Sequence, residues 1–380
     1  MEISALKAKI KELVLKNGAK LVGIGSKERL EKAPPSADMD YCLKGAKRCI
    51  IWAYPNPIDA LENYFSKKER FSIKKFQHFA YKSAWDTALK VKEYIENKTI
   101  YKAFAIIPNG KYRSEGSFSN IMSENDAYPE FSLRYGAVAA GLGHLGWSGN
   151  LVTEKFGGSL YLGGALTTAP LEPDPMPKEN HCNNCMLCHK ACTTGFFDKV
   201  KKEERHEVII GGFKETYAKR GAYSKCGVGC AGWTGLSQDG TWSTWTPDHI
   251  SLKDYSDQEW KENPSLKKKL MRELLMDKKT PKEVKEFNKA ILKSYSKVTK
   301  TENSALRTLE DTNPRCGNCN FICVADTKKR KELFNLLKSS GKVYLDEQGR
   351  EYLKKMDSNG KEIIFYPPSE EEFFEGIKNK

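Results

Sequence analysis

Apolar residues recur at helical intervals at the start of the chain. Ile3, Leu6, Ile10, Leu13 and Val14 stand among lysines and glutamates, which predicts an amphipathic helix over 2–17, ended by Asn17-Gly18. Apolar runs at 21–24 and 49–54, the second stopped by Pro55-Asn56-Pro57, predict buried strands. A long helix over about 76–95 and a third strand over 103–107 continue the alternation. Helices alternating with strands predict a central sheet layered with helices, in the α/β or α+β class.

The pattern then changes to dense glycine. Gly136, Gly141, Gly143, Gly146 and Gly149 fall within fourteen residues, followed by Phe156-Gly157-Gly158 and an apolar strand-like stretch to Leu166. No strand precedes these glycines and no ribose-binding acid follows at the expected distance, so a dinucleotide fold fails its context test. Two readings remain: close approach of backbone to a large flat ligand, or tight helix–sheet packing. Farther on, an 85-residue segment (231–315) opens with Trp233, Trp242 and Trp245 and becomes helical and lysine-rich to about residue 300. These tryptophans either wall a pocket or fasten a long loop. A basic helix over 328–337 follows, and 343–366 alternates like strands around Gly349 and Ser358-Asn359-Gly360.

Chemistry enters with the cysteines. Cys182, Cys185, Cys188 and Cys192 have the spacing Cys-x2-Cys-x2-Cys-x3-Cys, in which three thiolates bind one four-iron cluster and the fourth binds another. A second set, Cys316, Cys319 and Cys323, lies about 125 residues on, with Cys226 and Cys230 between. Two clusters need eight thiolates. The spacing assigns Cys182, Cys185, Cys188 and Cys323 to the first. Cys192, Cys316 and Cys319, with Cys226 or Cys230, go to the second. Zinc also suits Cys-x2-Cys pairs, but zinc ribbons present pairs rather than a run of four. His181 and His189 read as neighbours of a cluster loop, and Cys49 as a small core residue.

Hydrophobic content of 39% with 29% charged residues is that of a soluble globular protein, and no apolar run is long enough to cross a bilayer. The first residues have no signal-peptide architecture, which places the chain in the cytoplasm, where clustered cysteines bind metal more often than they pair. The net charge of +14 suits a phosphate-rich partner such as RNA, although the lysines are dispersed and equally suit a solvated surface.

Taken together, the glycine stretch and the cysteines that follow it resemble the corrinoid-dependent iron–sulfur reductases, a superfamily of epoxyqueuosine reductases and reductive dehalogenases. The likeness rests on Ala140-Gly141-Leu142-Gly143, Gly146, Leu151-Val152-Thr153, Phe156-Gly157, Leu160-Tyr161-Leu162-Gly163 and the two cysteine sets. It implies an α/β (α+β) corrinoid-binding core, residues 1–175, with helices on a central sheet. It also implies a two-cluster ferredoxin-like module over 176–232 and 310–330. Residues 233–309 form a Trp-containing insertion, and 331–380 a C-terminal helix with a strand-like tail. The implied cofactors are two 4Fe-4S clusters and a base-off cobalamin facing Gly141, Leu142, Gly143, Gly146, Ser148, Gly149, Phe156, Gly157, Leu162 and Gly163. The implied reaction is reduction of epoxyqueuosine in tRNA or of a small halogenated molecule, with an external donor such as ferredoxin or flavodoxin.

By the same resemblance, Asp126, three residues before Pro129, is the general acid; a dehalogenase would use one tyrosine as donor, for which Tyr112, Tyr128 and Tyr135 are the candidates. The family's isolated cysteine follows a basic residue, which favours Cys226, after Lys225, as the eighth ligand. The chain departs from the family where Thr193 and Val324 replace the proline after each cysteine set, in the long insertion, and in the tail. A dicluster electron carrier without a corrinoid, or an RNA binder stapled by clusters, are the alternatives.

Overall fold

The apolar stripe of the first helix finds its partner in a sheet that is covered on both faces. The computed structural model describes residues 2–108, 113, 129–197, 205–247, 249–252, 254–263, 265–296, 313–356 and 359–378. Helix α1 (Ile3–Lys16) buries Leu6, Ile10 and Val14, one turn apart, and leads into β1 (Leu21–Ser26). Strand β2 (Arg48–Pro55), α2 (Ile58–Phe65), α3 (Phe71–Lys98) and β3 (Ala103–Ile106) follow. Beyond them come α4 (Leu133–Ala139), the short strands β4 (His144–Leu145) and β5 (Leu151–Val152), and β6 (Leu160–Thr167).

The main sheet has the order β1-β2-β6-β3 and all its pairings are antiparallel, which places the fold on the α+β side of the expectation. Side chains alternate across it. Ile50, Trp52 and Tyr54 join the core shared with α1 and α3, whereas Cys49, Ile51 and Ala53 join the core beneath α4. Burial on both faces is why β2 reads as an unbroken apolar run. The C-terminal end of α4 rests on β1 itself: a Cβ on Gly23 would stand 2.1 Å from the Ala140 carbonyl oxygen, and one on Gly25 2.7 Å from the Ala139 carbonyl carbon.

Several elements differ from expectation. Helix α3 is longer at both ends than 76–95, and the glycine stretch begins inside α4 rather than in a loop. The strand after Phe156 starts only at Leu160. A hairpin of β7 (Arg205–Ile210) and β8 (Phe213–Ala218), turning at Gly211-Gly212, was not anticipated, although a Gly-Gly turn between alternating runs is a hairpin signal. The tail forms an antiparallel sheet of β9 (Val343–Leu345), β10 (Glu351–Met356) and β11 (Glu362–Phe365), and Glu370–Lys378 is an unanticipated helix. Among the described residues no helix is long and apolar enough to cross a membrane.

The tryptophans fasten the long segment. Trp242 lies in the core of α1 and α3. Trp245 donates its Nε1–H to the Tyr64 carbonyl at 2.9 Å and lies under the Arg70 guanidinium at 4.9 Å. Trp233 packs with Trp260 in a separate helical cluster. The tail sheet is tied in by charge, because Glu351 pairs with Arg70 at 3.0 Å and also with Arg315, both arginines being buried. Removing the shared carboxylate leaves two buried cations facing each other. Glu351→Ala is therefore expected to cost about 3–5 kcal/mol, read as a lower urea midpoint with an unchanged slope. A change below about 0.5 kcal/mol would contradict the buried triad.

Candidate metal centre

The loop carrying the cysteine run is bent by its own backbone. Asn184 and Met186 have φ of 52° and 61°, in the left-handed region, so the chain curls between the cysteines. Cys182, Cys185, Cys188 and the distant Cys323 then line one hollow, together with Trp147 and Arg330. The Trp147 backbone N–H donates to the Cys182 sulfur at 3.2 Å. Nη1 of Arg330, a residue 2% exposed, stands 3.9 Å from the Cys185 sulfur. Cys323 is seated by the start of the β6 segment, where the Gly158 and Ser159 N–H groups both donate to its carbonyl, at 2.6 and 3.0 Å.

A second cage adjoins the first. It gathers Cys192, Cys316 and Cys319 with Cys226 and Cys230, the latter two one turn apart on the helix Tyr223–Cys230. Sequence spacing left Cys226 and Cys230 as alternatives; the structure brings both to this cage, with their thiols hydrogen-bonded to each other. The Asn318 amide donates to the Ala191 carbonyl at 3.1 Å and locks the two cysteine loops together. Trp147, Phe196 and Phe197 belong to one aromatic cluster, against which Cys182 and Cys188 pack as well as Cys192, Cys226 and Cys319. The Trp147 and Phe197 ring centroids are 5.3 Å apart.

Burial, then the neighbouring thiols, push the Cys188 thiol up; burial, then Cys192 and Cys230, push Cys319 up to about 12, whereas the hydrogen bond with Cys226 holds Cys230 below its usual value. A bound cation would lower raised thiols such as Cys188 and Cys319. Among the described residues no three His, Cys, Asp or Glu groups close tightly enough for one metal ion. The first set instead lines a hollow, the arrangement a multinuclear cluster needs. Cys49 is buried in the α4 core and pushed up to about 12 by burial; Cys42 is partly buried beside it. His189 stacks edge-on to Trp147 with centroids 5.7 Å apart, as a neighbour of the loop.

The residues expected to face a corrinoid are placed differently from one another. A Cβ on Gly141 would meet the Pro175 carbonyl at 2.2 Å, on Gly143 that of Val152 at 2.2 Å, and on Gly163 the Trp52 ring at 2.4 Å. Gly146 abuts the Val152 side chain, Gly149 the Arg220 guanidinium and Gly157 the Cys323 carbonyl. Leu142, Phe156 and Leu162 pack against the α4 core, and the Ser148 carbonyl accepts from Arg220. These contacts account for the glycines by close packing, and part of that packing seats the first cage. Gly146 and Ser148 also line the hollow of the first cage. Tyr135 bonds the Tyr217 hydroxyl at 3.0 Å. Asp126, Tyr112 and Tyr128 lie outside the described residues.

Sequence reasoning missed Arg330, the Trp147 N–H and the aromatic cluster. Arg330 sits in a lysine-rich helix where nothing but burial distinguishes it, and a backbone donor carries no sequence signal.

No family model matches the chain. Curated relatives match over a short stretch. The epoxyqueuosine reductase of Listeria monocytogenes is 42% identical over 59 residues, 16% of this chain and 15% of that protein. That of Synechocystis is 41% identical over 58 residues, 15% of this chain and 20% of that protein. A segment of this chain is related to the epoxyqueuosine reductases. The chain thus spans no more than a fifth of these relatives' length in the matched stretch. Among solved structures, an epoxyqueuosine reductase with an epoxyqueuosine-modified tRNA-Tyr stem loop superposes with a TM-score of 0.38 at 13% identity, over 89% of this chain and 100% of that one. A catabolic reductive dehalogenase in complex with 3-bromo-4-hydroxybenzoic acid gives 0.44 at 15% identity, over 81% of this chain and 38% of that one.

The glycine stretch is held to the hairpin by one buried pair. His144 Nδ1 meets Glu215 Oε1 at 2.6 Å, and the Leu145 N–H donates to Glu215 Oε2 at 2.8 Å. Glu215→Ala strands both donors and is expected to cost about 3 kcal/mol or more. The hydrogen bond to Glu215 holds the His144 pKa above its usual value. A raised folded pKa stabilises fully below the unfolded value, about 6.5, and this contribution is lost as pH rises through the folded value. The gap in thermal midpoint between the parent and Glu215→Ala is therefore expected to be widest below about pH 6. A gap independent of pH between 5 and 9 would contradict this pairing.

Proposed function

We propose that this chain is an iron–sulfur oxidoreductase that passes electrons through two adjoining 4Fe-4S clusters to a base-off corrinoid, and that its substrate is epoxyqueuosine in tRNA. The observation that carries the reading is the meeting of two cysteine sets, far apart in sequence, in two cages that pack against one aromatic cluster. Cys182, Cys185, Cys188 and Cys323 would hold one cluster. Cys192, Cys316 and Cys319, with Cys226 or Cys230, would hold the other. When bound, the clusters supply one-electron carriage at potentials set by charge, hydrogen bonds and exposure.

The protein's own residues do the remaining work. The Trp147 N–H and the Arg330 guanidinium place positive charge against two sulfurs of the first cage, which favours its reduced form. Trp147, Phe196 and Phe197 pack against cysteines of both cages. The corrinoid and the tRNA substrate rest on the segment shared with epoxyqueuosine reductases and on the +14 charge, which suits a phosphate-rich partner. A donor such as ferredoxin or flavodoxin would deliver the electrons.

A second reading, a dicluster electron carrier without a corrinoid, needs nothing beyond the two cysteine sets. Titration of the anaerobically reconstituted protein with cobalamin, followed by electron paramagnetic resonance, separates the two. A base-off cobalt(II) spectrum, with turnover of an epoxyqueuosine-modified stem loop under reducing conditions, is expected for the reductase. Intact cluster signals with no change in the cobalamin spectrum would leave the carrier.

A further inference from the structure

Two arginines near the second cage pair with no carboxylate among the described residues. Arg134, on α4, donates Nη1–H to the Gly149 carbonyl at 3.1 Å. Arg220, just beyond β8, donates to the Ser148 carbonyl at 2.5 Å and to the Tyr223 hydroxyl at 2.9 Å. Its guanidinium carbon lies 5.1 Å from the Tyr217 ring centroid and 6.0 Å from that of Phe196, and its Nε has no hydrogen-bond partner. Both side chains are partly buried, and among the described residues their partners are neutral carbonyls and phenols, with no carboxylate paired to either. Burial, then the charge of Arg220, hold the Arg134 pKa below its usual value.

Two like charges brought together out of water repel unless an anion faces them. The group that faces them is the second cage. Arg220 lies beside Phe196, whose cluster packs with Cys192, Cys226 and Cys319, and it bonds Tyr223, which opens the helix carrying Cys226 and Cys230. A four-iron cluster held by four thiolates is an anion, and it gains one further negative charge on reduction.

We propose that Arg134 and Arg220 form a cationic bracket that raises the reduction potential of the cluster held by Cys192, Cys316 and Cys319. This rests on the iron–sulfur reading above. The arginines lie near the ligands and act by their field, so they are positioning residues. They give the second cage a charge partner that Arg330 supplies to the first.

The test is a redox titration of the cluster-loaded full chain followed by electron paramagnetic resonance, the second cluster being the signal removed by Cys316→Ser. In Arg220→Gln its reduction equilibrium is expected to shift at least tenfold toward the oxidised form, 59 mV for a one-electron couple. Arg220→Lys is expected to restore most of the shift, and Arg134→Gln to move the potential in the same direction. Unchanged potentials in both Gln variants with full iron content would overturn the proposal. If both Gln variants lose the second cluster, retention in Arg134→Lys and Arg220→Lys supports the role of charge, and loss there too overturns it. Parent protein that takes up only one cluster would overturn the iron–sulfur reading itself.

Discussion

Everything around the two cages depends on bringing Cys323 back to a loop more than a hundred residues earlier in the chain. That return is made by backbone hydrogen bonds as much as by the cysteines. The Cys323 carbonyl is gripped by two consecutive N–H groups at Gly158 and Ser159, and Asn320 donates back to the Gly158 carbonyl at 2.8 Å. A side chain at Gly157 would collide with the same carbonyl. The approach of the cluster loop to the sheet thus requires glycine at that place, and the sheet in turn fixes where the thiolates stand.

The sheet can serve as this anchor because it is rigid on both sides. Strand β6 lies between β2 and β3, so the stretch that seats Cys323 continues directly into a central strand. Covering both faces buries every second residue of β2 in each core, and full burial of an aliphatic side chain contributes about 1.5–3 kcal/mol. Arg70, Arg315 and Glu351 then bind the tail sheet and the residue next to Cys316 to α3. The second cage is fixed from that side by a buried ion triad and from the other by α4 and the hairpin.

Much of this was legible in the residues. The stripe of Leu6, Ile10 and Val14 and the runs around Ile24, Ile51 and Ala105 gave helices and strands close to those observed, because periodicity and burial coincide there. Cys182, Cys185, Cys188 and Cys323, which spacing assigns to one cluster, line one hollow. The glycines were less readable: sequence cannot distinguish a glycine that admits a ligand from one that admits a carbonyl, and at Gly141, Gly143 and Gly157 the neighbour is a carbonyl. Cys226 and Cys230 could not be separated because one helical turn carries both thiols to the same cage. Arg134 and Arg220 gave no signal, since their meaning lies in what they face.

The central claim is that eight of nine thiols, far apart in sequence, form two adjoining four-iron sites. Anaerobic determination of iron and acid-labile sulfide on the reconstituted full chain, with zinc measured on the same sample, tests it most directly. The account predicts about eight irons and about eight sulfides per chain. One or two zinc ions per chain with no sulfide would contradict it, because zinc takes four protein ligands and needs no sulfide.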